Sequence, residues 1–221
     1  MKKWEQFLRI SLVKRMNKIK YLILPFLFLL IENSISKEYK YKNFIENNKL
    51  IPLHQAVSAE SVDIIEFSSF SCSHCASFHN ETLIELKESE FFDHINYYVV
   101  DFPLNQAAFY ASVIASCDQS IRPSYVDLVY ANYDIWTKAA SGEKMIELLN
   151  SYGLQLGLED EQLQSCLTNE ALQNEILSLQ VASQETFGVE STPTFLINGE
   201  KIQGNRPSTE FIKIIKKELN K

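Results

Sequence analysis

The chain has 221 residues, of which 46% are hydrophobic and 22% charged, so it is long enough to bury a core and form one or two domains. Its net charge of −7 argues against nucleic acid as a partner, because surfaces that bind nucleic acid are basic.

The first 36 residues have the pattern of an export signal. Basic residues precede the apolar run 21–31, which is too short to span a bilayer comfortably, and the small residues Ser34 and Ser36 predict cleavage near residue 36. Cleavage would remove seven basic and two acidic residues and move the net charge from −7 to −12. An uncleaved membrane tether is the alternative, and Met16 is an alternative start. Export would permit disulfide bonds.

The next residues predict a short edge strand, two inner strands and a helix. Residues 37–50 are polar with no clear period, so we expect a loose lead-in, and 49–53 predicts a short edge strand. Residues 61–68 and 95–102 predict inner strands, and 72–87 predicts a helix between them. This order is typical of a βαβ unit with a parallel strand pair.

From residue 105 to 180 the apolar residues recur at helical spacing without a strand signal, which predicts a helical domain inserted into an α/β frame. The frame resumes with a predicted strand at 193–197, a two-residue hairpin turn at Asn198-Gly199 and a partner strand at 201–203. A last amphipathic helix is predicted to begin at Ser208 or the next residue.

Two cysteines in the stretch 67–79 carry the chemistry. Cys72 stands where the helix 72–87 begins, and the unpaired N–H groups and dipole there favour a thiolate, the only form of a thiol that attacks a disulfide. We therefore predict that Cys72 is the nucleophile and that the deeper Cys75 is the resolving thiol. His74 could donate to the thiolate, or lower its pKa by carrying a positive charge. A stabilised thiolate favours the reduced protein, which then passes its disulfide to other chains.

Glu66 lies in the preceding strand, six residues before Cys72. If its side chain points inward, it is a buried carboxylate able to take the proton of the resolving thiol. Periodicity alone leaves a solvated, edge-facing glutamate equally open.

This order of parts resembles the DsbA family of bacterial exported thiol:disulfide oxidoreductases over roughly residues 50–220. The resemblance rests on the sequences EFSSFSCSHC at 66–75, DFPL at 101–104 and GVESTPTF at 188–195. It implies an α/β fold, thioredoxin-like with an inserted all-helical domain. The corresponding segments are a signal at 1–36, a thioredoxin-like domain at 37–104 and 181–221, and a helical domain at 105–180. The resemblance also implies an oxidising character for the cysteine pair.

Carried over by motif, the resemblance implies catalytic roles for Cys72, Cys75 and His74, with Glu66 as the buried acid. Pro193 resembles the cis-proline that faces the active site, where the backbone of Thr192 can pair with an extended substrate. The substrate-binding residues implied in this way are Thr192, Pro193, Ser73 and His74.

Two departures from the family pattern bear on the reaction. Ser73-His74 stands where the family's oxidases often have Pro-His, and Thr192 before the proline is also found in disulfide isomerases. A disulfide isomerase or reductase is therefore the alternative function. Too little mature chain precedes the fold for a separate dimerisation domain, which argues against an isomerase, and we expect a monomer.

The other two cysteines, Cys117 and Cys166, fall on apolar faces of the helical segment. Because the redox motif fixes one pair, we predict that these two form a structural disulfide, with two buried free thiols as the alternative. The aromatic residues Tyr130, Tyr133 and Trp136 at helical spacing are predicted to belong to the core.

A zinc site is a competing interpretation of the motif, with Cys72, Cys75, His79 and a fourth ligand such as His74. No second Cys-x-x-Cys or histidine pair completes a tetrahedral site in the sequence. We therefore expect no metal, and no cofactor beyond the redox-active disulfide Cys72–Cys75.

Together these residues predict a periplasmic protein that accepts reduced, unfolded exported polypeptides and introduces disulfide bonds into them. Turnover then requires a membrane partner that reoxidises the cysteine pair, DsbB-like or similar. A non-catalytic binding module, whose cysteine pair is structural or metal-bound, is a further alternative from a different class.

Overall fold

The computed structural model describes residues 38–220, so the predicted export signal at 1–36 lies outside the described residues. Among the helices that are described, none is long and apolar enough to cross a membrane. In chain order the elements are α1 (38–47), β1 (Val62–Ser68), α2 (Ser73–Ser77), a π-helical turn (Phe78–Thr82), α3 (Leu83–Lys87), a 3₁₀ turn (Phe92–His94), β2 (Ile95–Asp101), α4 (Gln106–Ser116), α5 (Arg122–Ala131), α6 (Tyr133–Thr137), α7 (Gly142–Gln155), α8 (Asp160–Leu167), α9 (Glu170–Phe187), β3 (Thr194–Ile197), β4 (Glu200–Gln203) and α10 (Ser208–Leu219).

The strands form one sheet in the order β2-β1-β3-β4. β1 and β2 are parallel, whereas β1 with β3 and β3 with β4 are antiparallel. The predicted βαβ unit and the closing hairpin are therefore both present. β1 is central, and its Glu66 lies between Val99 of β2 and Phe195 of β3.

β1 is buried on both faces, because helices cover the sheet on each side. Val62 and Ile64 point to the face covered by α3 and α10, whereas Ile65 and Phe67 point to the face covered by α1 and α9. This alternation follows from the two-residue period of a strand. A side chain on the same face of β1 as Ile64 therefore points towards the helical segment that follows the cysteines.

The stretch 37–50 was predicted to be a loose lead-in, and that prediction is wrong. Its described part forms α1, in which Tyr41 and Phe44 are 2% and 4% exposed. These residues are one helical turn apart, and Phe44 packs edge-on against Phe67 and Phe187. Two buried aromatic rings, with the partly buried Ile45 beside them, thus hold this helix on the sheet.

The edge strand predicted at 49–53 is also wrong. The chain meets β2 only at its end, where the Leu53 N–H donates to the Tyr97 carbonyl oxygen at 2.7 Å and His54 forms an isolated antiparallel bridge with Tyr97. Pro52 has no N–H with which to extend the pairing.

Between β2 and β3 the chain is helical, as predicted, and these helices build their own core. Tyr125, Tyr130 and Trp136 are buried in it, together with Phe70 and Cys75 from the frame. The inserted helices therefore pack directly against the cysteine motif. α9 is one continuous helix, so the domain boundary predicted at residue 180 lies inside it, and its last turns pack on the sheet.

Candidate active site

Cys72 is the N-cap residue of α2, with extended backbone angles. The loop that leads to it is fixed from two sides. The Cys72 N–H donates to the Ser69 carbonyl oxygen at 2.9 Å, and the hydroxyl of Tyr133 in α6 donates to the Ser71 carbonyl oxygen at 3.0 Å. The helical insertion thus holds the loop that presents the first thiol.

The Cys72 sulfur is half-buried and lies 3.3 Å from the Thr192 carbonyl oxygen, to which the thiol donates when it is protonated. A hydrogen bond from the Cys75 thiol is the largest cause that lowers the pKa of Cys72, to about 5, against the opposing effect of burial. A hydrogen bond with the Thr192 side chain and the backbone amides of Cys75 and His74 lower this pKa further. Cys72 is therefore a thiolate at neutral pH.

Cys75 has the opposite character because it is fully buried. Burial raises the pKa of the Cys75 thiol far above its ordinary value, and the hydrogen bond with Cys72 and the negative charge of Glu66 raise it further. The two thiols are thus an ionised outer sulfur and a protonated inner one. The predicted roles of nucleophile for Cys72 and resolving thiol for Cys75 require this difference in acidity.

His74 lies between the two cysteines with an exposed side chain. Its backbone N–H, rather than its ring, is the group that lowers the pKa of Cys72. Ser73 is also exposed beside it. Both residues are thus exposed and follow Cys72 directly in the chain.

Glu66 points inward and is fully buried, so the alternative of a solvated glutamate is wrong. Its Oε1 accepts from the Ser68 hydroxyl at 2.6 Å, and its Oε2 lies 3.0 Å from Nε2 of His79 and also accepts from the Tyr97 hydroxyl. Tyr130 from α5 adds a hydroxyl 2.7 Å from Ser68 Oγ. We call these five residues the polar cluster.

Sequence reasoning missed four members of the polar cluster. Ser68 follows Glu66 by two residues, so the two-residue period of a strand places both side chains on the same face of β1, which the helix that begins at the cysteines covers. This spacing is visible in the sequence and could have predicted that Ser68 lies beside Glu66. Tyr97 lies on the same face of β2 through its pairing with Ile64. His79 was considered only as a zinc ligand, and Tyr130 only as a core residue.

The π-helical turn brings His79 to the polar cluster. This turn follows α2 directly and has its own buried face. Within it, the ring of His79 stacks on that of Tyr130 with 4.1 Å between the centroids. Single π-helical turns inside helices often occur at functional sites.

Across the site, the peptide bond between Thr192 and Pro193 is cis, as expected. Both residues are buried, and Pro193 leads into β3 beside the central strand. Its carbonyl oxygen accepts from the Gly204 N–H at 2.8 Å. The Thr192 carbonyl oxygen, in turn, is the backbone group that meets the Cys72 sulfur.

The remaining cysteines lie away from the polar cluster. Cys117, at the end of α4, and Cys166 in α8 form a disulfide with 5.6 Å between their Cα atoms. Within residues 38–220, the His, Cys, Asp and Glu side chains form no group of three that could hold a metal ion. His79, a ligand in the zinc interpretation, hydrogen-bonds Glu66.

Comparison with known proteins gives a family and a fold. The family model described as thioredoxin matches residues 55–217. Among solved structures, α-DsbA1 from Wolbachia pipientis superposes with a TM-score of 0.65 at 19% identity, covering 73% of this chain and 87% of that one. For α-DsbA2 from the same organism the values are 0.64 and 18%, covering 84% and 96%. The predicted thioredoxin-like fold with a helical insertion, and its resemblance to DsbA, are confirmed.

A further solved structure, the protein-disulfide isomerase from Novosphingobium aromaticivorans, superposes with a TM-score of 0.62 at 21% identity, covering 75% of this chain and 96% of that one. Curated relatives carry the provisional name protein-disulfide oxidoreductase. The one from Rickettsia bellii is 26% identical over 165 residues, which are 72% of this chain and 62% of that protein. The one from Rickettsia felis is 28% identical over 145 residues, or 63% and 50%. The chain thus spans about half to three fifths of these relatives.

Proposed function

Because the chain belongs to the thioredoxin family and has the fold of the DsbA proteins, we propose that it is a protein-disulfide oxidoreductase that introduces disulfide bonds into exported polypeptides. The catalytic pair is Cys72 and Cys75. The observation that carries this proposal is the difference between the two thiols, since the pKa of Cys72 is lowered to about 5 and that of Cys75 is raised.

The reaction begins with the oxidised protein, in which Cys72 and Cys75 share a disulfide. A substrate thiolate attacks the more exposed sulfur, Cys72, and the Cys75 sulfur leaves as a thiolate that takes up a proton. A second substrate thiolate then attacks the mixed disulfide and expels Cys72. The substrate leaves with a new disulfide, and the protein keeps the two electrons as two thiols.

The direction of this exchange follows from the acidity of Cys72. A thiolate of low pKa is a good leaving group, so the second step favours release of the oxidised substrate. The reduced protein is stabilised at the same time, because the Cys72 thiolate accepts hydrogen bonds from the Cys75 thiol, the Thr192 side chain and the backbone amides at the start of α2. Both effects make the disulfide form an oxidant.

Substrate would lie against the cis-proline. The Thr192 carbonyl oxygen beside Pro193 lies 3.3 Å from the Cys72 sulfur, and the exposed Ser73 and His74 follow Cys72 in the chain. An extended peptide could add main-chain hydrogen bonds there without a demand for a particular sequence. Such binding suits a protein that acts on many unfolded chains.

The proposal is tested by trapping. In Cys75→Ser the mixed disulfide between Cys72 and a substrate chain has no resolving thiol, so it should accumulate. It should be detected on a non-reducing gel as a species of higher mass that disappears when a reductant is added. Cys72→Ser is the matched control and should trap nothing. If Cys75→Ser also trapped nothing in cells, the cysteine pair would belong to a non-catalytic module, contrary to the proposal.

The location and the partner belong to the same proposal. Residues 1–36 would direct export to the periplasm, where disulfides persist, and a DsbB-like membrane partner would reoxidise Cys72 and Cys75 after each turnover. Cell fractionation followed by immunoblotting with an antibody against the mature region measures the location of the protein, and the size of the detected band measures cleavage. Detection of the chain only in the cytosol would contradict this part.

A disulfide isomerase or reductase is the second candidate. It is favoured by Thr192 before the cis-proline and by the fold shared with the Novosphingobium isomerase. Equilibration of Cys72–Cys75 with glutathione separates the two, because an oxidase should have a potential near −120 mV, about that of DsbA, and a reductase one near −270 mV, about that of thioredoxin. The lowered pKa of Cys72 predicts the higher value.

A further inference from the structure

The proposed reaction requires a proton to enter or leave a site that water does not reach. Cys75 is fully buried, and so is Glu66, the carboxylate that could take the proton of the resolving thiol. When Cys75 acts as a leaving group it must gain a proton, and when it attacks a mixed disulfide it must lose one. A group that connects the two side chains would carry this proton without opening the core.

Ser68 is placed between them. Its hydroxyl donates to Oε1 of Glu66 at 2.6 Å, and its hydrogen-bonding interaction with the Cys75 side chain lowers the pKa of Cys75, against the larger effect of burial. The Tyr130 hydroxyl lies 2.7 Å from the same Oγ. Ser68 itself is 3% exposed, so these contacts are made inside the protein.

The hydrogen-bonding capacity of Ser68 fits this position. A serine hydroxyl has one proton to donate and two lone pairs that accept. Its proton goes to the Glu66 carboxylate, which has none to give. Tyr130 must therefore donate to Ser68, and burial raises the pKa of Tyr130 well above its ordinary value, so that it keeps its proton. One lone pair of Ser68 is then left for the Cys75 thiol. In the reduced protein that thiol donates to the Cys72 thiolate, but in the mixed disulfide the Cys72 sulfur is bonded to the substrate and the Cys75 proton is free to turn to Ser68.

We propose that Ser68 relays the proton between Cys75 and Glu66. This inference rests on the proposed function. In the resolving direction, the Cys75 thiol gives its proton to Ser68 Oγ while Ser68 gives its own to Glu66 Oε1. The Cys75 thiolate attacks the Cys72 sulfur of the mixed disulfide, the Cys72–Cys75 bond forms, and the substrate leaves as a thiolate. Oxidation of a substrate runs the same transfers in reverse, with Glu66 as the acid.

The rest of the polar cluster keeps Glu66 aimed at Ser68. His79 and Tyr97 both contact Oε2, which leaves Oε1 for the relay. Burial and the charge of Glu66 raise the pKa of Tyr97 well above its ordinary value, so Tyr97 remains a donor. These two residues act through Glu66 and are positioning residues, whereas Ser68 touches the thiol that reacts.

The experiment follows the two steps separately, with oxidised glutathione as the probe. The reduced full-length protein is mixed with oxidised glutathione. The reaction is stopped with acid at successive times, and the mass of the protein is measured by mass spectrometry. Cys72 first forms a mixed disulfide with glutathione, and Cys75 then resolves it. Ser68→Ala should form the mixed disulfide at the wild-type rate and resolve it about 10²-fold more slowly, which is the lower end of general acid–base catalysis. Ser68→Thr keeps the hydroxyl and should restore resolution.

Ser183→Ala is the matched control, because Ser183 is a buried serine whose hydroxyl donates to the Leu179 carbonyl oxygen, away from the polar cluster. It should resolve at the wild-type rate. Resolution by Ser68→Ala at the wild-type rate would overturn the relay and leave the proposed function intact. Failure of the wild-type protein to form any mixed disulfide would instead overturn the proposed function, and the relay with it.

A second measurement needs no variant. The relay moves two protons together, so the resolution rate of the wild-type protein should fall along a curve as the fraction of deuterium in the water rises. A straight line would mean that a single proton moves, and it would overturn the relay even if Ser68→Ala did not fold.

Discussion

Nε2 of His79 lies 3.0 Å from Oε2 of Glu66, and the two side chains are 2% and 0% exposed. Neither group can exchange this contact for water. Burial of a polar or charged group without a partner is costly, so each side chain depends on the other. The π-helical turn Phe78–Thr82 supplies the histidine and β1 supplies the glutamate, so the pair joins the cysteine helix to the sheet.

The first prediction concerns this pair. Replacement of His79 by leucine removes one hydrogen-bond partner from a buried carboxylate, so the free energy of unfolding should fall by about 3 kcal/mol. Urea unfolding of the two proteins in the same redox state measures the difference. Lys87→Ala is the matched control, since it removes a partner from Asp127 in an exposed pair 3.3 Å apart and should cost less than about 1 kcal/mol. Equal losses in the two variants would contradict the prediction.

The second prediction concerns the acidity of Cys72. In the reduced protein the ultraviolet absorbance of its thiolate should appear with a midpoint at a pH of about 5. The largest cause is the hydrogen bond from Cys75, so Cys75→Ala should raise the pKa of Cys72 without restoring its ordinary value, because Thr192 and the backbone amides still act. Cys72→Ser should abolish the transition. A midpoint near 8.5, the value of a free thiol, would contradict the second prediction and the proposed function together.

The third prediction is the pH dependence of the stability of the reduced protein. The pKa of Cys72 is about 5 in the folded state against an ordinary value of 9.0, so between these pH values the unfolded chain binds the extra proton and stability rises with pH. Below a pH of about 5 both states are protonated and the contribution is lost. Above 9.0 the unfolded chain loses the proton of Cys75, which the folded state keeps, so stability should fall again.

Denaturant unfolding of the reduced protein across this range tests the third prediction, and the difference from the oxidised protein isolates the thiols. Cys72→Ser is the control and should lose the rise between pH 5 and 9.0 while it keeps the fall above it. A reduced protein that loses stability as the pH rises through this window would have the opposite sign and would contradict the assignment of the two thiols.

The frame and the reacting thiols were predictable because their signals are local. Alternation along 61–68 predicted β1, and the spacing of Cys72 and Cys75 at the start of a helix predicted which sulfur is outermost. α1 was not predicted, because only Tyr41 and Phe44 in it are fully buried and two residues are too few to establish a helical period.

The polar cluster could not be assembled from sequence because its members come from distant elements. Tyr130 lies 62 residues after Ser68, and Tyr97 lies 31 residues after Glu66. Each looks like an ordinary core tyrosine when its own helix or strand is read alone. The pairing of β2 with β1 brings the Tyr97 hydroxyl to Glu66, and the packing of α5 on α2 and the π-helical turn brings the Tyr130 hydroxyl to Ser68.

The fourth prediction concerns the disulfide in the helical insertion. Cys117 and Cys166 are 49 residues apart and tie the end of α4 to α8. On the chain-entropy model a loop of this length stabilises the folded state by about 4 kcal/mol, because the unfolded chain is restricted. The double variant Cys117→Ala and Cys166→Ala should therefore lose that amount from its free energy of unfolding, measured by denaturant titration. Each single variant leaves a free thiol in the insertion, and either one should lose as much as the double variant because the cross-link is already gone. A double variant as stable as the wild type would contradict the prediction.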